Sequence, residues 1–493
     1  MTKRLLIIIA LFTTTAGTNA QEAPKKILTL EEVIAMSQEQ SLQAILARHR
    51  FRGSYWQYRT HVANYLPRLS LSGDLVNFNR SLIKYQNPDG TYSYIEDNAN
   101  AITMGLNLQQ NIGLTGGSVF ASSDLQRVDQ FGENENYMYL SSPISVGFRQ
   151  PLSGYNEFRW ERKIEPLRYE EAKKEYIDAM EGVAMRAVNY FFDLALAQTD
   201  VEISRINYQN TDTLYKIAQG RFNMGTIAEN ELLQLELRHL EASTDLNKAG
   251  INLEIYKFQL RSFLNLSPVT DIVLIIPSGV VFMEVNIEKA LSEAKMNNPD
   301  MVQLERQLME AQQQVAMTKA EKGLNANLLA SFGLTQRAVD IPGAYQDPQD
   351  KQTLRIGIEM PLLDWGLGRG QYKMARSNQE VVNTTVQQEQ IDFEQQVLLK
   401  VMQFSLQDDQ LLIAAKADTV ARYSYEISKQ RFLIGKIDVL DLNVALEDKD
   451  VARRGYIAAL REFWTYYYEI RQLTQYDFIK QQTLGASFES LLE

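Results

Sequence analysis

Two kinds of periodicity alternate along this chain. Ile102, Met104, Leu106 and Leu108 interleave with Thr103, Gly105, Asn107 and Gln109. The same alternation sets Ile144, Val146 and Phe148 against Ser145, Gly147 and Arg149, and Leu354, Ile356, Ile358 and Met360 against Arg355, Gly357 and Glu359. A period of two places successive side chains on opposite faces of a β-strand, so each segment predicts a strand with one apolar and one polar face. Elsewhere the apolar positions fall at helical spacing, as in Phe393, Val397, Leu398, Val401 and Phe404, continuing through Leu411, Leu412 and Ala415. Proline is missing from Leu167 to Ser267 and again from Leu362 to Glu493, which permits long helices because an interior proline costs roughly 3 kcal/mol. The spacing predicts two antiparallel helix pairs, 157–224 with 228–264 and 367–434 with 438–475. The longer helix of each pair, at about 60 residues, would reach on the order of 90 Å. A globular core does not need that length, whereas a coiled-coil stalk or a tube does.

These elements recur at a constant offset of 210 residues. Ser145-Val146-Gly147-Phe148-Arg149-Gln150-Pro151-Leu152 returns as Arg355-Ile356-Gly357-Ile358-Glu359-Met360-Pro361-Leu362, and Arg221-Phe222-Asn223-Met224-Gly225-Thr226-Ile227 returns as Arg431-Phe432-Leu433-Ile434-Gly435-Lys436-Ile437. Self-similarity of this kind marks a repeat architecture. Further forward, Leu30-Glu31-Glu32-Val33 resembles Ile287-Glu288-Lys289-Ala290, and each opens a helix that leads into a strand, at Leu66–Leu71 and at Leu328–Gly333. The organisation read from this is a leader at 1–20, a first repeat at 21–266, a linker at 267–284, a second repeat at 285–475 and a tail at 476–493. Each repeat runs strand–strand–long helix–long helix. Gly225 and Gly435 mark the helical turns, since glycine adopts the left-handed conformation that closes a helix, and Asp438 is placed to cap the helix that follows. Asn87-Pro88-Asp89-Gly90 and Pro342-Gly343 with Asp347-Pro348 carry the turn chemistry of strand connections. The first repeat holds an extra stretch, about 101–140 with a turn at Gly116-Gly117, that either adds two strands or forms a surface hairpin.

The N-terminus changes the compartment. Lys3 and Arg4, an apolar Leu5–Phe12 and the small-x-small Thr18-Asn19-Ala20 have the pattern of a secretory signal peptide. No later stretch has the roughly 18 consecutive apolar residues of a helical span. An exported chain with alternating strands therefore points to an outer-membrane barrel, an α+β membrane protein. Two strand pairs per chain cannot close such a barrel, which needs about eight strands or more, so the count itself requires an oligomer. The net charge of −11 argues against a nucleic-acid partner. Cysteine is absent, and the three histidines, His49, His61 and His239, have no ligand spacing. No metal site, cofactor or catalytic residue is expected, and no nucleophile motif or phosphate loop points to an enzyme.

The duplicated strand ends in Gln-Pro-Leu and Met-Pro-Leu, the turns of form Arg-Phe-x-x-Gly-x-Ile, and Ile437-Asp438-Val439-Leu440-Asp441-Leu442 before the last helix resemble the TolC-like outer-membrane efflux family over nearly the whole exported chain. The resemblance implies a homotrimer whose subunits share one transmembrane β-barrel, continued by a periplasmic α-helical coiled-coil tunnel. It also implies docking on a periplasmic adaptor (membrane fusion) protein and an inner-membrane RND or ABC transporter, with export of drugs, small molecules or proteins through the outer-membrane lipid.

The same resemblance implies the site residues. Glu231 and Asp441 lie six residues after the turn glycines, at positions that line the periplasmic constriction in the family, and three copies of each would form carboxylate rings that favour cations. Their plainer role is as first-turn helix acids. Ile227 and Ile437 stand where the best-known members carry a basic residue, and Gln234 and Val444 where they carry a second acid. Lys436 and Asp438 are therefore the candidates to complete the gate. Arg221, Phe222, Gly225, Arg431, Phe432 and Gly435 are the expected helical tips and adaptor-docking positions. Pro151, Pro361, Arg149 and Glu359 are the expected barrel–tunnel junction, where Arg149 and Glu359 could meet across strands. The aromatic run Phe463-Trp464 with Tyr466-Tyr467-Tyr468 is expected to pack where helices join strands. A periplasmic or surface coiled-coil scaffold without a pore is the alternative architecture.

Overall fold

The computed structural model describes residues 25–492 apart from 133–134, 278–282 and 435; the leader and Gly435 lie outside them. The chain divides into two compact units, each drawing segments from both halves of the sequence. The first comprises residues up to Ile45 with Met180–Glu284 and Gln403–Glu469; the second comprises Leu46–Ala179, Val285–Met402 and the residues from Ile470 onward.

The long helices keep the lengths that a constant offset demands. Helix α1 (Leu30–Gln40) is followed by α2 (Leu42–Ala63), and α3 (Glu157–Asn223) by α4 (Glu229–Phe263). In the second half α5 (Ile287–Asn297) precedes α6 (Pro299–Glu321), and α7 (Leu367–Leu433) precedes α8 (Val439–Thr474). Helices α3 and α7 both have 67 residues, and α1 and α5 both have 11. The leading helix of each half, expected as one element, is broken at an equivalent point. Ser41 ends α1 and its hydroxyl accepts from the amide of Ala44. Asn298 ends α5 and its Oδ1 accepts from the amide of Asp300, ahead of Pro299 at the first turn. A short polar cap in extended conformation stops one helix and starts the next. Thr29 and Glu32 form a reciprocal capping box at the start of α1.

In the first unit α3 and α4 run antiparallel. Tyr190 packs on Phe263 at 4.7 Å and Tyr208 on His239 at 5.1 Å, so ascending numbers on one helix meet descending numbers on the other. Helices α7 and α8 do the same through Phe404 with Phe463 and Asp418 with Arg453. The fully buried side chains here include Phe191, Phe192, Leu194, Leu260, Phe404, Ile457, Leu460 and Phe463. Two short parallel strands, β1 (Lys25–Leu28) and β7 (Asp271–Leu274), close this unit. The aromatic run of α8 belongs to the same core: Phe463 is wholly buried, with Tyr467 and Tyr468 nearly so. There Phe463 packs helix against helix, on Phe404 of α7 at 5.4 Å.

The second unit holds one large antiparallel sheet. Its strands are β2 (Arg68–Asp74), β3 (Phe78–Gln86), β4 (Tyr92–Ile112), β5 (Gly117–Gln130), β6 (Asn136–Ser153), β8 (Asn325–Ala338) and β9 (Gln349–Glu359). The order is β2-β4-β5-β6-β8-β9, with β3 also on β4. Strands β2 and β3 are successive stretches along one neighbour, pairing with Thr103–Gln109 and with Tyr92–Asn100 of β4. The first half thus departs from the expected two strands. The extra stretch is strand on both sides of a turn in which Gly116 has φ of +76°, a conformation that glycine adopts without steric cost. Pro143 and Pro151 sit in β6 at or beside irregularities in its pairing with β8, where a missing N–H interrupts no regular ladder. Gly147 is required by close approach, since a Cβ there would lie 2.5 Å from the carbonyl oxygen of Ala330.

The C-terminal tail is packed. Strands β10 (Tyr476–Asp477) and β11 (Gln482–Thr483) pair, Phe488 meets Phe51 at 5.2 Å, and the Arg52 side chain donates to the carbonyl of Leu491.

Candidate functional site

The first candidate region is the pair of helical turns. At the end of α3 the amide of Gly225 donates to Phe222 O at 2.8 Å and that of Thr226 to Arg221 O at 2.9 Å. Gly225 has φ of +71°, so the last carbonyls of the helix are satisfied by a left-handed turn. The second repeat makes the equivalent bond, from the amide of Lys436 to Arg431 O at 2.9 Å. Beyond this the turns differ. Asp438 Oδ1 accepts from the amide of Asp441 at 2.9 Å and caps α8, as its place in the sequence predicts. Ala228, at the equivalent position, gives α4 no side-chain cap. Phe432 is buried with Tyr425, Leu442 and Ala445, with Leu214 of α3 packed against them. Phe222 is more than a third exposed.

Glu231 and Asp441 both lie in the first turn of their helices and are exposed, as is Lys436. Carboxylates in a first turn interact favourably with the helix N-terminus. The turn of α8 therefore gathers Asp438 and Asp441 around one helix end.

A polar groove that periodicity did not single out lies between α3, α4 and α8, with a volume of about 490 Å³. Asn207 Nδ2 donates to Asp450 Oδ2 at 2.7 Å, Arg454 Nε bonds Asp200 Oδ1 at 2.6 Å, and Arg238 of α4 also lines the groove. Asp450 is buried. Burial also pushes the Tyr425 phenol up to about 12; Asn210 donates to its oxygen at 3.1 Å. The signal available in the sequence was Asp450 at a position where helical spacing calls for an apolar residue.

The second candidate region is the sheet. Directly paired residues share a face, so the register sorts every side chain. Leu69 pairs with Leu108 and Leu71 with Leu106; Leu108 pairs with Ala121 and Met104 with Leu125. Val119 pairs with Phe148 and Ala121 with Val146. Phe148 pairs with Ala330 and Val146 with Phe332, and Leu328 pairs with Ile356 and Ala330 with Leu354. One face is therefore apolar from β2 to β9. It is uncovered: Leu69 and Leu71 are each 66% exposed, and Leu354 and Ile358 each 74%. The other face carries Ser70, Asn107, Gln109, Ser118, Ser122, Arg149, Ser331 and Arg355.

The strand-to-helix connections follow Pro151 and Pro361. Pro151 lies two residues before the end of β6, with α3 opening at Glu157; Pro361 lies two residues after β9, with α7 opening at Leu367. Arg149 and Glu359 are not brought together. Arg149 pairs with Leu329 and Glu359 with Asn325, four positions apart along β8, or about 13 Å. The row through Leu329 instead places Arg149 and Arg355 on the same polar face, because a strand intervenes and the register follows it rather than the repeat.

Residues 290–474 match a family described as outer membrane efflux protein. These residues carry the outer membrane efflux protein domain. They span most of the second repeat, and the first repeat is tied to them by the 210-residue offset. Three solved structures share the fold over 90% of this chain. CmeC, an outer membrane channel of Campylobacter jejuni, is 17% identical, is covered over 85% of its length and has a TM-score of 0.62. VceC, an outer membrane protein of Vibrio cholerae, is 14% identical, covered over 95%, with a TM-score of 0.63. The MtrE outer membrane channel of Neisseria gonorrhoeae, in its open state, is 14% identical, covered over 88%, with a TM-score of 0.60. No curated protein matches the chain. Outer membrane efflux proteins are channels and not enzymes. Among the described residues no helix is long and apolar enough to cross a membrane, which says nothing of strands.

Helix packing in the second unit carries a pH dependence. Asp178 of α3 is held above the usual carboxylate range by burial, opposed by a hydrogen bond from Gln472 Nε2 at 3.2 Å. Its folded pKa is thus above its unfolded one, and the folded state takes up a proton first as pH falls. The sign is that Asp178 detracts from stability at neutral pH and ceases to do so as pH drops through its raised pKa. Asp178→Asn is therefore expected to raise the thermal midpoint at pH 7.5, and its difference from the unaltered protein is expected to be smaller at pH 5. Differential scanning calorimetry in detergent at the two values checks this; a variant less stable than the parent at pH 7.5 would reverse the assignment.

Proposed function

We propose that this chain is one subunit of a homotrimeric outer-membrane channel, with its strands in the lipid and its long helices in the periplasm. It conducts small molecules, drugs or proteins outward from a periplasmic adaptor and an inner-membrane RND or ABC transporter. The observation that carries the reading is the sheet. An uncovered apolar face crosses β2, β4, β5, β6, β8 and β9, with a polar face behind it, as lipid outside and water inside require. A coiled-coil scaffold in water has no use for that face. Closure needs further copies, because an open sheet edge in lipid leaves backbone groups without partners at several kcal/mol each.

The gate is assigned to the helical turns, with Glu231 and Asp441 as carboxylate rings and Asp438 and Lys436 beside them. Arg221, Phe222 and Gly225 with Arg431, Phe432 and Gly435 form the tips that meet the adaptor. Like charges held close favour separation, so an acidic ring opposes the closed state and prefers cations while closed.

Purification in detergent, mass determination and recording in a planar bilayer test this together. A trimer of small, cation-preferring conductance is expected. Glu231→Ala/Asp441→Ala is expected to abolish most of the cation preference and to change conductance several-fold. A monomer that stays soluble without detergent and is silent in the bilayer would sink the channel reading. A trimeric pore whose selectivity ignores the double variant would sink only the gate.

A further inference from the structure

The sheet has six strand positions per chain, four from the first half and two from the second, whereas two strands per repeat would give four. The difference is the hairpin of β4 and β5, and three observations place it within the wall. Each of its strands is bonded on both sides: β4 to β2 and β3 on one side and β5 on the other, β5 to β4 and β6. The turn between them lies at the end of the sheet where the helices begin, because Asn156 Nδ2 donates to Leu114 O at 3.1 Å and Asn111 Nδ2 to Asn64 O at 3.0 Å. The hairpin therefore runs from the outer loops back to the helices and is no projection beyond the sheet. Its exposed apolar residues, Met104, Leu106, Leu108 and Val119, share the face of Leu71, Val146 and Ile356 by register.

Resting on the channel reading above, we propose that each subunit supplies six strands and that three subunits close an 18-stranded barrel. The occupant of both free edges is a second copy of this chain. One edge, β2 with β3, leads away from the helices, and the other, β9, returns to α7. An even strand count thus brings β9 of one copy against β2 of the next in antiparallel sense. Leu69 and Leu71 at one edge and Leu354, Ile356 and Ile358 at the other continue the apolar band across the seam. With strands about 4.8 Å apart and tilted by about 40°, 18 strands enclose a backbone diameter of about 36 Å, against about 24 Å for 12. Side chains cannot fill so wide a lumen, which holds an aqueous channel as 16–18-stranded porins do.

Electron microscopy of the detergent-purified full chain, viewed down its symmetry axis, reads the diameter directly. Threefold particles with a barrel of about 36 Å are expected. Threefold particles of about 24 Å would overturn the strand count and leave the channel reading standing. Twofold particles of about 24 Å, with 12 strands from two copies, would overturn it too, and a detergent-independent monomer would overturn both. The chain has no cysteine, so Leu106→Cys and Asn107→Cys give a second readout in proteoliposomes. A water-soluble maleimide is expected to label Asn107→Cys and to spare Leu106→Cys at least tenfold. Equal labelling of the two would place β4 outside the wall.

Discussion

Leu106→Arg is expected to remove the protein from the outer membrane, while Asn107→Arg, one residue along the same strand, leaves it assembled. Leu106 lies on the apolar face between Leu71 and Ser123, and is 47% exposed. Asn107 lies on the polar face between Ser70 and Ser122. A charged side chain on the lipid face near mid-membrane costs about 2–4 kcal/mol, and one on the lumen face far less. In a trimer the first cost is incurred three times, which is comparable with the whole stability of a typical domain. The check is the amount of detergent-extractable trimer in outer-membrane fractions. Equal yields from both variants would mean that the face is covered by protein and not by lipid.

The second large effect is expected at Arg306. Its Nε and Nη2 bond Glu171 at 2.5 and 2.9 Å, and its Nη1 bonds Glu310 at 3.0 Å. Glu310 is shared with Arg168, which also bonds Glu165. The pair ties α6 to α3, and the Glu171 side chain retains only 8% of its exposure. Hydrogen bonding to Glu171 raises the Arg306 pKa further above its already high value. Arg306→Met leaves a buried carboxylate without its partner, at a cost of about 3–5 kcal/mol. Removing both charges, in Arg306→Met/Glu171→Met, is expected to recover most of that loss, since a buried ion pair contributes little net stability over apolar packing. Urea unfolding of the parent and the variants in detergent measures the difference. A double variant no more stable than the single one would show that the pair itself holds the helices together.

Much of the fold was legible because rigid elements leave rigid patterns. The ends of α3, α4, α7 and α8 fall within a residue of the expected limits, since Gly225 and Asp438 act locally and the only proline among these helices, Pro166, lies near the start of α3. The breaks at Ser41 and Asn298 were not foreseen, because a cap inside an otherwise helical run resembles any polar surface residue. The six-strand count stayed open because alternation shows that residues 102–109 are a strand but not what lies on either side of it. Arg149 and Glu359 were matched by repeat position, yet neighbours across a sheet are set by register, and the register gives Arg149 the row of Arg355. The groove around Asp450 needed three helices to be in place before its polar residues could be seen to converge. For Glu231 and Asp441, composition and spacing reach only as far as a favourable helix start.

The added strands come as a hairpin, one ascending and one descending, and that parity has an evolutionary consequence. In the proposed barrel everything downstream keeps its side of the membrane, so α3 still begins where the helices of the second half begin. A single inserted strand would deliver 67 residues of helix to the outside of the cell. A wall of this kind can widen only in steps of two strands per subunit. In such a barrel strand count and helix length are therefore separately heritable traits within one chain.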